Sequence, residues 1–295
     1  MRPRHPADYR SLLWALVFCP LVPALSYVWP GLAPWLLPLA LWLAYSVGAI
    51  AHNHNHRPVF AGRAENAALG AWLSFFYGAP IIFWIPTHNQ NHHKYLNGPG
   101  DATRTSRFAT EDSFRAALRY PFHSSLAQLP LIWRFITDAA RRRPRLFRQF
   151  LLQAGALALG HLLALGLALR WHGLVRGGLV YALALGVPAL FAPWATMFTN
   201  YLQHVGCDPT SADRHSRNFV DPRYNWLMFN GGYHTVHHEH PGVHWSRYPE
   251  LHRERSGAIG RDLEHATLAG YCIHAYGIQR GRAAAQSGRP QARLR

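Results

Sequence analysis

Charge is confined along this chain to a few zones. The stretches Ser11–Trp29, Leu32–Ala51, Ala67–Pro86, Gln149–Leu169 and Gly177–Gln203 contain no Asp, Glu, Lys or Arg. Each is close to or longer than the ~18–20 residues that cross a ~30 Å hydrocarbon layer as a helix. Without water, a helix is the element that pairs all of its own backbone groups. The pattern therefore predicts an all-α integral membrane protein. Pro20, Pro23, Pro34, Pro38, Pro188 and Pro193 interrupt these stretches, a burden that membrane helices carry better than soluble ones.

Arginine placement gives the orientation. Arg2, Arg4 and Arg10 precede the first stretch, and Arg141, Arg142, Arg143, Arg145 and Arg148 precede the fourth. An arginine-rich C-terminal third follows the fifth, whereas Pro30–Gly31 carries no charge and the other short link carries only Arg170 and Arg176. The positive-inside rule then predicts four crossings in two hairpins, with N-terminus, middle stretch and C-terminal third in the cytoplasm. That orientation suits a bacterial inner membrane protein. Residues 1–278 read as a single membrane domain, and the basic tail 279–295 is expected to be disordered or to lie on anionic lipid.

Composition narrows the function classes. The chain has 295 residues, 49% apolar, with Lys+Arg 30 against Asp+Glu 14 and a net charge of +16. Because the arginines border apolar stretches, the charge suits anionic lipid head groups, and nucleic acid is not expected as a partner. Cys19, Cys207 and Cys272 are too scattered for a disulfide scaffold or a CxxC metal site. The single lysine, Lys94, is followed by Tyr95, so no GxxxxGK[ST] phosphate loop exists, and neither GxSxG nor GxGxxG occurs.

The 20 histidines carry the candidate chemistry. His52, His54 and His56 form HNHNH at the end of the second stretch; His88, His92 and His93 form HNQNHH after the third. His204 follows the fifth, and His234, His237 and His238 form HTVHH. On a helix, residues at i, i+3 and i+4 share a face. His52 would project with His56, His88 with His92, and His234 with His237 and His238, while His54 points elsewhere. The adjacent pairs His92–His93 and His237–His238 diverge by about 100° and would reach two different ions. Nine candidate imidazoles exceed the three or four ligands of one ion and suit two. Imidazole alone leaves iron, zinc, copper and nickel open. Lone histidines such as His161 and His123 read as satisfied core residues. If the nine are to meet, Ala67–Pro86 cannot cross the bilayer, and it is expected to be a re-entrant or interfacial helix. A histidine-rich helical cap would then lie on the cytoplasmic side.

These residues resemble the membrane fatty acid desaturase family. Its three histidine boxes, HxxxH, HxxxHH or HxxHH, and HxxHH, match His52–His56, His88–His93 and His234–His238 in order, within HHEHPGVHWSRYPEL and THNQNHHKYLNGPGD. The likeness covers roughly residues 10 to 255, including the positions of Pro241, Trp245 and Pro249. It implies two iron ions held by His52, His56, His88, His92, His93, His204, His234, His237 and His238. Asn200, in NYLQH, is implied as a weak or water-mediated ligand. No catalytic residue separate from these ligands is expected, and His54, His215, His240 and His244 match no family ligand.

The family implies O2-dependent oxidation of a fatty acyl chain, with a double bond as the first-choice product. Attack on an unactivated alkyl chain is beyond acid–base side chains, so a metal must activate O2. Hydroxylation, ketolation or oxidative decarboxylation on the same scaffold is the alternative, and a histidine-rich metal transporter is a more distant one. The lipid is expected to enter from the bilayer, between aromatics of Trp72–Trp84 and Trp194–Phe198. Arg104, Arg107 or Arg247 are candidates for head-group contact. Electrons are expected from a separate ferredoxin-like or reductase partner.

Overall fold

The computed structural model describes residues 2–108 and 112–278; the tail 279–295 lies outside them. Two helical hairpins dominate. Helix α1 (Asp8–Val28) turns at Trp29 into α2 (Pro30–His56), and α6 (Pro144–His172) turns at Gly173 into α7 (Leu174–His204). These four helices are long and apolar enough to cross a membrane, and they coincide with the first, second, fourth and fifth charge-free stretches. Helix α6 is the least enclosed, with Leu159, Leu162 and Leu163 pointing outward. In water they would form a large apolar patch; a bilayer covers it.

Two of the prolines are absorbed by local widening. A π-helical turn at Trp14–Phe18 precedes Pro20, and another at Ala182–Gly186 precedes Pro188. Hydrogen bonds of the i→i+5 type give the chain a register in which the missing N–H is not needed. Helix α2 continues past its apolar run, so HNHNH forms its last turns rather than a loop.

The third stretch does not cross. Helices α3 (Arg63–Tyr77) and α4 (Ile81–Tyr95) meet at 98°, as expected for a re-entrant segment. The break is built at Gly78, whose φ of 80° is left-handed and whose Cβ, if present, would lie 1.9 Å from the Ala189 carbonyl oxygen of α7. Pro80 prevents the helix from simply resuming. The freed amides still need partners in lipid. Ile81 N donates to Ser74 Oγ at 3.0 Å, and Ile82 N donates to Oε1 of the buried Gln153, on α6, at 2.8 Å.

Helix α5 (Phe114–Arg142) is not among the sequence expectations. Its one side, with Ala117, Tyr120, Pro121 and Ser124, is buried. A second carries exposed Phe114, Leu118, Phe122, Leu126, Leu129 and Trp133, with exposed Arg115 and Arg119 along its edge near the start of the helix. An apolar stripe on the outside of a helix that also bears charge is the mark of an element lying in the membrane interface.

The C-terminal cap consists of short helices, α8 (Pro222–Leu227), α9 (His234–Glu239), α10 (Tyr248–Arg255) and α11 (Leu268–Cys272). Strand β1 (Asn218–Phe219) pairs in parallel with β2 (Glu264–His265) within it. The cap is tied to α1 through the buried Asp8, which accepts from Trp245 Nε1 at 3.0 Å and pairs with His244 Nε2 at 3.1 Å. His5 stacks on His244 at 3.9 Å, and the Arg10 guanidinium sits over the Trp245 ring.

Candidate metal centre

Four elements deliver the histidines. The last turns of α2 present His52 and His56, α4 presents His88, His92 and His93, α7 ends on His204, and α9 carries His234, His237 and His238. All nine sequence-predicted imidazoles converge, in two adjacent groups.

In the first group His52, His56, His88 and His237 each turn one nitrogen inward, all within 4.8 Å of one another. His52 Nε2 lies 2.9 Å from His88 Nε2 and 3.1 Å from His237 Nε2. His93 joins them, its Nε2 being 3.0 Å from those of both His88 and His237. The second group is His92, His204, His234 and His238, again within 4.8 Å. His204 Nε2 lies 2.9 Å from His234 Nε2 and 3.3 Å from His238 Nε2.

The split confirms one sequence argument and corrects another. His92 and His93 go to different groups, as do His237 and His238, as divergence of neighbours on a helix requires. His88 and His92, expected on one face, also part company. Residues Ile85–His92 form a π-helix, in which i and i+5 come into register rather than i and i+4, so His88 is matched with His93. In the ordinary α-helix α9 the i, i+4 pair His234 and His238 does stay together, at 3.0 Å, while His237 faces the other group.

Hydrogen bonds at the outer nitrogens fix the inner ones. His204 Nδ1 donates to the His215 carbonyl oxygen at 3.2 Å. A carbonyl can only accept, so His204 Nε2 must carry a lone pair. His92 Nδ1 lies 2.8 Å from Asp101 Oδ2, which aims Nε2 inward, buried and without any protein partner. His56 Nε2 is also buried and unpartnered. Lone pairs converging on one point repel unless a cation lies between them, so this donor set fits a pair of metal ions. Burial, and then the neighbouring imidazoles, push His234, His237 and His238 well below their ordinary pKa. They are neutral, as ligands must be.

Asp101 is a partner of the histidine groups that their spacing does not reveal. Fully enclosed, it holds His92 and accepts from Asn97 N at 2.8 Å, Thr103 N at 2.7 Å and Thr103 Oγ1 at 2.7 Å. Burial pushes its carboxyl up, but His92 and the Thr103 donors outweigh this and hold it below the usual range. Such carboxylate–histidine pairs orient a ligand and raise its basicity. Tyr248 plays a similar part, its hydroxyl lying 3.1 Å from His237 Nδ1.

The other candidates are spread around the groups. His54 Nδ1 accepts from Val59 N at 3.4 Å and touches neither group. His244 pairs with Asp8, and His240 is exposed. His215 has a buried Nε2 without a partner. His161 is satisfied at both nitrogens, by Tyr181 Oη and the Phe75 carbonyl, whereas His123 is exposed and stacks on Phe108 rather than lying in a core. Asn200 lines the adjacent cavity and donates to Tyr120 Oη at 2.8 Å.

That cavity, of about 330 Å³, reaches both groups through His52, His88, His92 and His234. Tyr77, Phe83, Trp84 and Met197 line it, as the sequence suggested for their segments. Trp72 instead donates to the Ala15 carbonyl, and Trp194 stacks on Phe198 away from it. Arg104, Arg107 and Arg247 do not line it.

Comparison with known proteins agrees with this arrangement. The chain is 26% identical over 256 residues to a β-carotene ketolase of Paracoccus sp. (strain PC1), covering 82% of this chain and 91% of that protein. No solved structure matches the chain at a significant level. The family model for fatty acid desaturases matches residues 27–265, which include all three histidine boxes and His204. An integral membrane protein with this match and two histidine groups at one end of its helices belongs to the fatty acid desaturase family.

Proposed function

We propose that this protein uses O2 to oxidise a lipid chain at two irons, introducing a double bond into an acyl chain. The observation that carries this reading is the cavity whose wall includes histidines of both groups. It lies in the size range of small-molecule sites and is largely apolar. His52, His56, His88, His93 and His237 would hold one iron, and His92, His204, His234 and His238 the other. Asn200 would be a weak or water-mediated ligand of the second, its side-chain oxygen taking no donor among the described residues. Iron would supply the one-electron chemistry by which O2 attacks an unactivated C–H bond.

The protein's own residues do the rest. Asp101 and the His215 carbonyl hold His92 and His204 in the tautomer that points Nε2 inward. The apolar walls exclude water and set one carbon beside the histidines. The arginine-flanked ends favour a site at the cytoplasmic face of a bacterial inner membrane, where a ferredoxin-like or reductase partner would deliver electrons.

The ketolase relative favours a second product, a ketone, on the same scaffold. A transporter reading fits less well, because its ligands would line a path through mid-membrane, whereas these converge at helix ends. Expression in an iron-replete bacterial host followed by mass spectrometry of total lipids tests the reading. A lipid lacking two hydrogens supports desaturation, and one gaining a carbonyl oxygen supports ketolation. Unchanged lipids beside a His237→Ala control would reject both.

A further inference from the structure

Among the residues that line the cavity, Ser125 and Leu129 alone are exposed. Both lie on α5, within the stripe that includes Phe122 and Leu126 and faces lipid. The mouth of the cavity therefore opens on the side of the molecule that the membrane covers. The lining has a second property. It contains no Asp, Glu, Lys or Arg, and its polar members, such as Tyr45, Gln128, Thr199 and Gln203, are uncharged. Away from the histidine wall, where the irons would sit, a carboxylate, phosphate or coenzyme A group would meet no counter-charge, at prohibitive desolvation cost.

We infer that α5 forms a lateral portal, gated by Ser125 and Leu129, through which an uncharged lipid segment dissolved in the bilayer enters the site. Charged head groups stay outside at the interface, beside Arg115 and Arg119, which edge the same stripe near the start of the helix. The source is membrane lipid, either a chain of a phospholipid inserted tail-first or a wholly neutral lipid, and not a water-borne acyl thioester. This rests on the reading that the cavity holds the lipid to be oxidised. Leu129 is half in solvent, at 54% exposure, so a larger side chain there narrows the mouth without overpacking a core.

The test places the photoreactive residue p-benzoylphenylalanine at Phe83, inside the cavity. The iron-loaded protein is reconstituted in phosphatidylcholine vesicles, with or without dissolved β-carotene, and illuminated. An adduct of phosphatidylcholine or of β-carotene is expected, and identifies which source enters. Leu129→Trp, and separately Ser125→Trp as a check against misfolding, should cut adduct yield about tenfold at unchanged iron content. The inference falls if yield is indifferent to both substitutions, if no adduct forms, or if only acyl-coenzyme A added to the solution is captured. Adduct formation needs no turnover. A tryptophan-sensitive adduct with no oxidised lipid in the expression host would therefore remove the oxidase reading alone. Oxidised lipid whose yield ignores both substitutions would remove the portal alone.

Discussion

At the scale of single residues, the inner nitrogens are set by what the outer ones touch. Asp101 is the clearest case, because its carboxylate accepts from His92 and is itself fixed by Asn97 and Thr103. Asp101→Ala should lower metal affinity of the second group by roughly 10–100-fold, read as iron per protein after dialysis. His92→Ala and His237→Ala should each abolish lipid oxidation and remove iron, whereas His54→Ala should keep most of both. Equal loss at all three would contradict the arrangement, since the His54 ring touches neither group. The histidine groups were legible because their type and spacing are unusual. Asp101, Tyr248 and the His215 carbonyl were not. They are ordinary residues 9 or 11 positions from the histidines they hold, and the chain between leaves the helix, so no helical period reports them.

At the scale of elements, the re-entrant bend is the feature that lets boxes one and two meet. Its stability rests on Gly78 and on two borrowed acceptors. Gly78→Ala should destabilise the fold by more than the roughly 1–2 kcal/mol of a left-handed residue, because the new Cβ also meets the Ala189 carbonyl at 1.9 Å. Gln153→Leu keeps the volume but leaves the Ile82 amide unpaired in an apolar setting, at about 1–3 kcal/mol. Both losses should appear as lower thermal unfolding midpoints in detergent, with Gln153→Glu, which retains an acceptor oxygen, closer to the parent. The crossings and the bend were legible because hydrocarbon demands long charge-free runs. Helix α5 escaped the same criterion, since its sequence carries charges from Arg115 to Arg142 and offers no long charge-free run. The π-helical register of Ile85–His92 also escaped, because its sequence satisfies i, i+4 and i, i+5 spacings alike through His88, His92 and His93. The choice between them is made by where α9 and α7 place their own histidines.

At the scale of the whole molecule, the cap and the membrane helices are joined by groups that must stay neutral, which gives the fold a predictable response to acid. His234, His237 and His238 have an ordinary value of 6.5 that burial lowers in the native state. The unfolded chain therefore takes up protons first as pH falls through 6.5, and over that window the unfolded state binds more protons than the native one. Stability then rises with pH up to that value and levels off above it. Metal loading adds to the same trend, because each proton competes with the ion for an Nε2 lone pair. The unfolding midpoint should hold steady from neutral pH upward and fall over the roughly two units below the ordinary histidine value, with iron released over the same range. Replacing iron-loaded by chelator-treated protein separates the two contributions. The metal-free form should start from a lower midpoint, by the linkage between ligand and native state, yet keep the acid slope. A midpoint flat throughout the acid range in both forms would mean that these three imidazoles are not held neutral, and the two groups could not then be metal ligands.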